Sequence, residues 1–214
     1  MKIDRKCHAC GKAAKSICTG CRLLYFCSKE CQVASWPSHK AKCKLAKKEA
    51  KPHLDDFFNA AQEGNMSKLR YYLEKYPIAV NMVHSRNFGF ITVRGHALEK
   101  AAANGHLEAV KLLIGHGANL FIGDPTFGQL PIHRACEGGH IETVKYLLEK
   151  GSPILDGDGM GQTPLHFAAE HGHTKLCQFL LDNGARPSLT VRYRYKTPKD
   201  WAELGGYRDC AAIL

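Results

Sequence analysis

The sequence predicts a mainly α-helical protein in two parts: a small N-terminal domain stapled by metal ions, and an α-solenoid of about five helical repeats. Three observations support this fold class. Eight cysteine and histidine residues stand in four close pairs between residues 7 and 43. From residue 53 onward, a helical pattern returns with a period near 33 residues. The excess of positive charge is confined to residues 1–52, so composition separates the two parts as well.

The overall composition is that of a folded chain rather than a disordered one. Of the 214 residues, 44% are hydrophobic and 23% are charged, which is enough apolar surface to form a packed core. No apolar run approaches the roughly 20 residues that cross a bilayer, and the first ten residues contain no apolar signal region. We therefore expect an intracellular protein, cytoplasmic and/or nuclear, without membrane insertion.

Cysteine and charge are both concentrated at the N-terminus. Seven of the ten cysteines fall between Cys7 and Cys43, and in a reducing compartment such a block indicates a metal site. Residues 1–52 contain 13 Lys/Arg and 3 Asp/Glu, whereas the remainder contains 17 of each. Seven thiolates and two Zn²⁺ would change the formal +10 of this segment to roughly +7. The N-terminal part therefore stays basic.

The spacing of the four pairs predicts two zinc ions. The pairs are Cys7 with Cys10, Cys18 with Cys21, Cys27 with Cys31, and His39 with Cys43. A two-residue gap suits a tight turn, and a three-residue gap places two ligands one helical turn apart. Eight ligands fill two tetrahedral shells, one of four cysteines and one of three cysteines and a histidine, so we expect structural rather than catalytic zinc. We expect His8 to face solvent.

The spacing alone leaves the pairing of these ligands open. Sequential pairing would join the first two pairs on one ion and the last two on the other. Interleaved pairing would join the first pair with the third and the second with the fourth. Crossed sites would staple a segment of fewer than 45 residues that has almost no apolar core.

The order of the pairs, together with "YFCSKECQ" and "WPSHKAKC", closely resembles the MYND zinc finger over residues 7–43, with no ligand missing. The resemblance implies interleaved zinc sites. The first zinc would be held by Cys7, Cys10, Cys27 and Cys31, and the second by Cys18, Cys21, His39 and Cys43. It also implies that a proline-containing peptide lies in a shallow groove lined by Ser28, Gln32 and Trp36. An alternative is that Trp36 only fills a very small core.

The segment after the finger has good helix formers up to Lys51, followed by Pro52 as a breaker. We predict a finger over 1–45, a basic linker helix over 46–53 and the repeats over 54–214. The linker is a weak match to a nuclear-localisation signal, and a solvated helix face explains its lysines as well.

The repeats align over most of the remaining chain. "TPLHFAAEHGHTKLCQFLLDNGA" (163–185) matches "LPIHRACEGGHIETVKYLLEKGS" (130–152) and "HALEKAAANGHLEAVKLLIGHGA" (96–118). The glycines that join the two helices of each repeat are Gly64, Gly105, Gly139, Gly172 and Gly206. This pattern resembles ankyrin repeats over nearly all of residues 53–214. The first repeat is degenerate and the fifth stops within its second helix, as expected of terminal repeats.

Several residues that suggest chemistry have a structural interpretation in this repeat. We interpret His133 and His166 as hydrogen-bonding posts between repeats. We predict that Cys136 and Cys177 are buried small hydrophobes, with Cys210 less certain. The loop from Asp156 to Gly161 is similar to a calcium loop, but Phe167 stands where that loop needs a bidentate glutamate. We therefore predict an ordinary turn between repeats.

Two of the loops between repeats, the ankyrin fingers, alternate arginine with aromatic residues. One is about eight residues longer than its counterparts, and the other lies between repeats four and five. Arginine and tyrosine are favoured at the centres of protein interfaces. The candidate contacts are Arg86, Phe88, Phe90, Arg94, Arg192, Tyr193, Arg194 and Tyr195. The alternative is a hairpin whose two-residue alternation turns the aromatics inward.

These features favour a non-enzymatic adaptor, whose finger docks a proline-containing peptide while the repeats bind a second protein. An alternative is a transcription-related factor that contacts nucleic acid through the basic finger, but no helix presents a row of base-reading side chains. An enzyme is not expected, because the sequence has no phosphate loop, nucleophile elbow or HExxH stretch.

The zinc content tests the ligand assignment. Native mass spectrometry of the full chain should give two zinc ions per molecule, because eight ligands complete two tetrahedral shells. A stoichiometry of one would contradict the two-site assignment.

Overall fold

The computed structural model describes residues 16–17, 25–26, 40, 48–88, 91–187 and 196–214, with the strands 16–17, 25–26, 84–88 and 91–94 described by backbone alone. Two short strands lie in the N-terminal part: β1 (Ser16–Ile17) and β2 (Tyr25–Phe26). They pair antiparallel, with Ser16 opposite Phe26 and Ile17 opposite Tyr25. The predicted helix over 28–35 and the helix start at Pro37 lie outside the described residues.

The chain stays helical from residue 48 into the repeats. Residues 48–50 are α-helical, and a 3-10 turn follows over Lys51–His53. Pro52 was predicted to break the helix, and the α-helical residues do end at Ala50, two residues before Pro52, which lies in the first turn of the 3-10 segment. The backbone changes from an α-helix to a 3-10 helix around Pro52 and stays helical.

Five helix pairs follow within the described residues, which confirms the predicted α-solenoid of about five repeats. They are α1 (Leu54–Gln62) with α2 (Met66–Lys75), α3 (Ala97–Ala103) with α4 (Leu107–Gly115), α5 (Pro131–Glu137) with α6 (Ile141–Glu149), α7 (Pro164–Glu170) with α8 (Thr174–Asp182), and α9 (Pro198–Leu204) with α10 (Arg208–Ile213). A 3-10 turn over Pro77–Asn81 follows α2. Among the described residues, no helix has the length and apolarity needed to cross a bilayer.

Local sequence explains where the helices begin. Pro131, Pro164 and Pro198 occupy the first positions of α5, α7 and α9, where proline is preorganised for the helix. The side chain of Asn65 caps α2 by accepting a hydrogen bond from the backbone N–H of Lys68 at 3.1 Å. These four helices therefore begin at a proline in the first turn or at a capping side chain.

The core runs continuously from the first repeat to the last. Alanines on the first helices, such as Ala168 and Ala169, are fully buried and let neighbouring helices approach closely. On the second helices, Val110, Val144 and Cys177 occupy equivalent positions and are each 0% exposed. Since each repeat buries its apolar face only against its neighbours, stability depends on the contacts between repeats.

The long ankyrin finger between repeats one and two is an antiparallel hairpin. Strand β3 (His84–Phe88) pairs with β4 (Ile91–Gly95), with Arg86 opposite Val93 and Phe88 opposite Ile91. The hairpin accounts for the extra length between repeats one and two. The hairpin itself is the one that the alternative interpretation predicted. The contact role of Arg86 and Arg94 stays a prediction.

Consecutive repeats are joined by what we term ring locks: His106, His140, His173 and Tyr207 packed on Gly64, Gly105, Gly139 and Gly172 of the preceding repeat. In three of the locks, the imidazole Nε2–H donates to a backbone carbonyl of the preceding repeat. The acceptors are Gln62, Ala103 and Glu137, at 2.9, 3.0 and 2.8 Å. The ring lies directly over a glycine, so packing and hydrogen bonding fix the same contact.

Alanine substitutions at two glycines separate the ring lock from backbone strain. Gly139 and Gly151 have φ angles of 72° and 91°, so alanine is strained at both, by about 1–3 kcal/mol. At Gly139 the new Cβ would lie 2.7 Å from ring atoms of His173, whereas at Gly151 it would meet nothing within 4 Å. Urea denaturation should show Gly139→Ala losing about 1–2 kcal/mol more unfolding free energy than Gly151→Ala. Equal losses would show that the lock adds nothing.

Candidate protein-interaction surfaces

The predicted zinc ligands and the groove residues Ser28, Gln32 and Trp36 lie outside the described residues. The described residues themselves contain no group of three or more metal-ligating side chains. Seven cysteines and one histidine nevertheless form a donor set that suits two tetrahedral zinc ions.

His133 is a structural post, as predicted. Its Nδ1 accepts a hydrogen bond from the backbone N–H of Leu130 at 3.0 Å, and its Nε2–H donates to the carbonyl of Asp156 at 2.9 Å. The ring therefore joins the start of α5 to the next finger. It is 0% exposed, and this burial lowers the pKa of His133 below its ordinary value. Both nitrogens are occupied in the neutral form, so His133 is not available as a base.

His166 repeats this arrangement in the following repeat. Its Nδ1 accepts from the backbone N–H of Thr163 at 3.1 Å, and its Nε2–H donates to the carbonyl of Lys196 at 3.3 Å. The prediction that both histidines are hydrogen-bonding posts is confirmed.

The repeats on either side replace the histidine with a carboxylate. Glu99 is 3% exposed and accepts a hydrogen bond from the backbone N–H of His96 at 3.1 Å. Asp200 accepts from the backbone N–H and hydroxyl of Thr197 at 2.7 and 2.8 Å, and these bonds lower the pKa of Asp200. What the position needs is a hydrogen-bond acceptor for the start of the helix, and imidazole is one of several solutions.

The three cysteines of the repeats are buried. Cys136, Cys177 and Cys210 are each 0% exposed, which confirms the prediction for the first two and settles the third. Burial raises the pKa of the Cys136 thiol, so this cysteine is an inert part of the core in the folded state.

The loop from Asp156 to Gly161 is a turn, as predicted. The Oδ1 atom of Asp158 accepts hydrogen bonds from the backbone N–H groups of Met160 and Gln162, both at 2.9 Å. The carboxylate therefore holds its own loop in shape.

The structure exposes two apolar side chains at finger tips that the sequence interpretation missed. Phe127 and Met160 are each 46% exposed. Their two fingers are tied together, because the backbone N–H of Gly159 donates to the carbonyl of Phe127 at 2.7 Å. Asp124 braces the first finger by accepting from the N–H groups of Thr126 and Phe127, both at 2.8 Å. We call Phe127 and Met160 the fingertip pair.

A signal for the fingertip pair was present in the repeat alignment. "FGQLP" (127–131) and "MGQTP" (160–164) place both residues directly before the glycine of the turn. Both of these glycines have positive φ, at 71° and 87°. A large apolar residue at the same turn position of two consecutive repeats indicates an exposed pair, since a tight turn cannot bury it.

The predicted contact residues of the two arginine-containing ankyrin fingers lie only partly within the described residues. Arg86, Phe88 and Arg94 lie on the β3–β4 hairpin, where the register places Arg86 opposite Val93 and Arg94 opposite Ser85. The remaining candidates, Phe90, Arg192, Tyr193, Arg194 and Tyr195, lie outside the described residues.

Comparison with known protein families agrees with this architecture. Residues 7–43 match the model of the MYND finger, and residues 98–191 match the model of ankyrin repeats with three copies. The resemblance drawn from the sequence is thereby confirmed for both parts. The match to three repeats covers the middle of the stack, which agrees with the atypical first and last repeats. Both kinds of domain are protein-interaction modules.

Individual relatives are similar over short segments. A zinc finger MYND domain-containing protein 10 homolog of Drosophila melanogaster is 40% identical over 40 residues, which are 19% of this chain and 9% of the relative. The SET domain and MYND-type zinc finger protein 6 of Schizosaccharomyces pombe is 41% identical over 44 residues, 20% of this chain and 9% of the relative. The ubiquitin carboxyl-terminal hydrolase 19 of Arabidopsis thaliana is 39% identical over 66 residues, 29% of this chain and 10% of the relative. The chain spans about a tenth of the length of these curated relatives.

The burial of His133 has a measurable pH consequence. Because its folded pKa is lowered, the unfolded state binds a proton below about pH 6.5 that the folded state does not bind. The unfolding free energy supplied by His133 is therefore complete above this pH and falls as the pH decreases towards the folded pKa. An NMR titration of the imidazole should give a midpoint below 6.5. A midpoint at or above 6.5 would contradict the buried neutral post.

Proposed function

We propose that this chain, which carries a MYND finger followed by ankyrin repeats, is a non-enzymatic adaptor that joins two proteins. The finger docks a proline-containing peptide beside Ser28, Gln32 and Trp36, and the ankyrin stack binds a second protein through its fingers. The adaptor works in the cytoplasm and/or the nucleus.

In this proposal two zinc ions staple the finger. Cys7, Cys10, Cys27 and Cys31 hold the first ion, and Cys18, Cys21, His39 and Cys43 hold the second. Each bound zinc crosslinks distant segments of a domain that is too small for a self-sufficient core. The zinc shells are complete without a water ligand, so the finger offers a surface rather than a reaction centre.

The observation that carries the proposal for the stack is the exposure of the fingertip pair. Phe127 and Met160 leave apolar surface in water on two fingers that a backbone hydrogen bond holds side by side. Contiguous exposed apolar surface is typical of binding sites, and the hydrogen bond from Gly159 to Phe127 brings together the two turns that carry these side chains. The buried His133 and His166, which could otherwise suggest catalysis, are both occupied with joining repeats.

The charges of the fingers indicate what the second partner looks like. The charged side chains of the two middle ankyrin fingers are all acidic. The ankyrin fingers on either side contain Arg86 and Arg94, and Arg192 and Arg194. A partner with an apolar centre and acidic flanks would match this order. We therefore propose that the stack recognises such a surface, centred on the fingertip pair.

The benefit of joining two modules in one chain is a raised effective concentration. When a peptide and a second protein belong to one complex, binding of the first makes binding of the second intramolecular. Two weak contacts can then give a stable and selective association without any enzymatic step.

Matched variants of the full zinc-loaded chain test the two surfaces separately. On a peptide array, Trp36→Ala and Gln32→Ala should weaken binding of proline-containing peptides roughly tenfold or more, while a Phe127→Ala/Met160→Ala double variant binds as wild type. In affinity capture with mass spectrometry, the double variant should lose proteins that Trp36→Ala retains. Tyr71→Ala serves as the control, because Tyr71 is 52% exposed on the second helix of repeat one.

Three outcomes would contradict the proposal. Undiminished peptide binding by both groove variants would remove the groove. An unchanged set of captured proteins in the double variant would remove the fingertip surface. Binding to random duplex DNA that persists at about 150 mM salt would favour the nucleic-acid alternative for the basic finger.

A further inference from the structure

Two cysteines of neighbouring repeats lie in direct contact. The Sγ atoms of Cys177 on α8 and Cys210 on α10 are 3.3 Å apart, and both side chains are buried. The residues are 33 positions apart, one fewer than the 34 that separate Gly172 from Gly206, so Cys210 directly precedes Ala211, which is the equivalent of Cys177 in the next second helix. We propose that Cys177 and Cys210 form an oxidation site, at which a hydroperoxide links repeats four and five through a disulfide.

The third cysteine of the stack differs from this pair. Cys136 lies on α5, a first helix, and its thiol pKa is raised by burial alone. The environment of Cys177 includes a hydrogen bond with the Cys210 thiol in addition to burial. Only the Cys177–Cys210 pair therefore combines burial with a thiol contact among the cysteines of the described repeats, and Cys136 is its natural control.

An oxidant reaches the pair only when α10 moves, because Cys210 is 0% exposed. It is carried by α10, which has six residues and packs on α8 and α9. So short a helix is not stable without its neighbours, and such an element can open locally while the core stays folded. Opening of α10 exposes Cys210 and relieves the burial that raises its thiol pKa.

The reaction balances with hydrogen peroxide as the oxidant. The Cys210 thiolate attacks one peroxide oxygen, the O–O bond breaks, and Cys210 becomes a sulfenic acid while water leaves after proton transfer. The Cys177 thiolate then attacks the Cys210 sulfur, the S–S bond forms and a second water leaves. Two thiols lose two electrons in total, and one hydrogen peroxide is reduced to two molecules of water.

The crosslink would hold the last repeat in place. It closes a ring of residues 177–210, which contains α9 and the whole ankyrin finger between repeats four and five. Closing a ring of this length stabilises a folded chain mainly by restricting its unfolded state. Oxidation would therefore suppress the opening of α10 and fix both ends of the finger that carries Arg192 and Arg194.

Tryptic mapping of the full zinc-loaded chain tests the site. After hydrogen peroxide and alkylation of the remaining thiols, trypsin places the three cysteines on separate peptides: 135–145, 176–192 (Arg186 precedes a proline and is not cleaved) and 209–214. We expect a disulfide-linked pair of 176–192 with 209–214 that dithiothreitol reverses. We also expect the oxidised repeats to melt roughly 5–10 °C higher. The Cys136→Ala variant should behave as wild type, whereas Cys177→Ala and Cys210→Ala should lose both effects.

The pairing pattern separates a preformed site from chance oxidation. In the native chain the 177–210 link should dominate over links to Cys136, and in urea the three pairings should become comparable. Absence of the link in the native chain, or equal amounts of all three links, would overturn the proposal. A link without slower amide exchange in α10 would overturn the inferred clamping of the last repeat.

Discussion

The stack depends on one contact that recurs between its repeats: an aromatic ring of one repeat packed on a left-handed glycine of the repeat before it. At His173 the ring covers Gly139, and its Nε2–H donates to the carbonyl of Glu137 at 2.8 Å. Only glycine tolerates both the positive φ and the absence of space above the Cα. A short helical hairpin is not stable alone. The stability of each repeat therefore depends on contacts of this kind with its neighbours.

A rigid stack determines where the exposed groups lie. His133 and His166 join each repeat to the next finger, and the fingers are in turn braced by carboxylates such as Asp124. The imidazoles of His133 and His166 therefore act as structural supports inside the stack. The apolar surface left over at Phe127 and Met160 stands on a fixed base, so a partner would meet a preorganised surface with a low entropic cost of binding.

The repeat architecture could be predicted from the sequence because its determinants are local or periodic. Glycine spacing predicts the five helix pairs, and the position of His133 in its motif predicts a post. The fingertip pair was missed because exposure is decided by how neighbouring loops pack. The contact of Cys177 with Cys210 was missed because the two residues do not align in the repeats, where Gly172 and Gly206 lie 34 positions apart, so the periodicity does not predict their 3.3 Å contact. The effect of Pro52 could be predicted because it is local: the α-helix ends before the proline, and a 3-10 turn over Lys51–His53 leads into α1.

The ring locks make the middle repeats one cooperative unit. Native-state hydrogen exchange at increasing urea tests this cooperativity, because exchange reports the free energy of opening for each helix. We expect the slowest amides of α4, α6 and α8 to converge on a single opening free energy. Three separate opening free energies, one for each repeat, would contradict it.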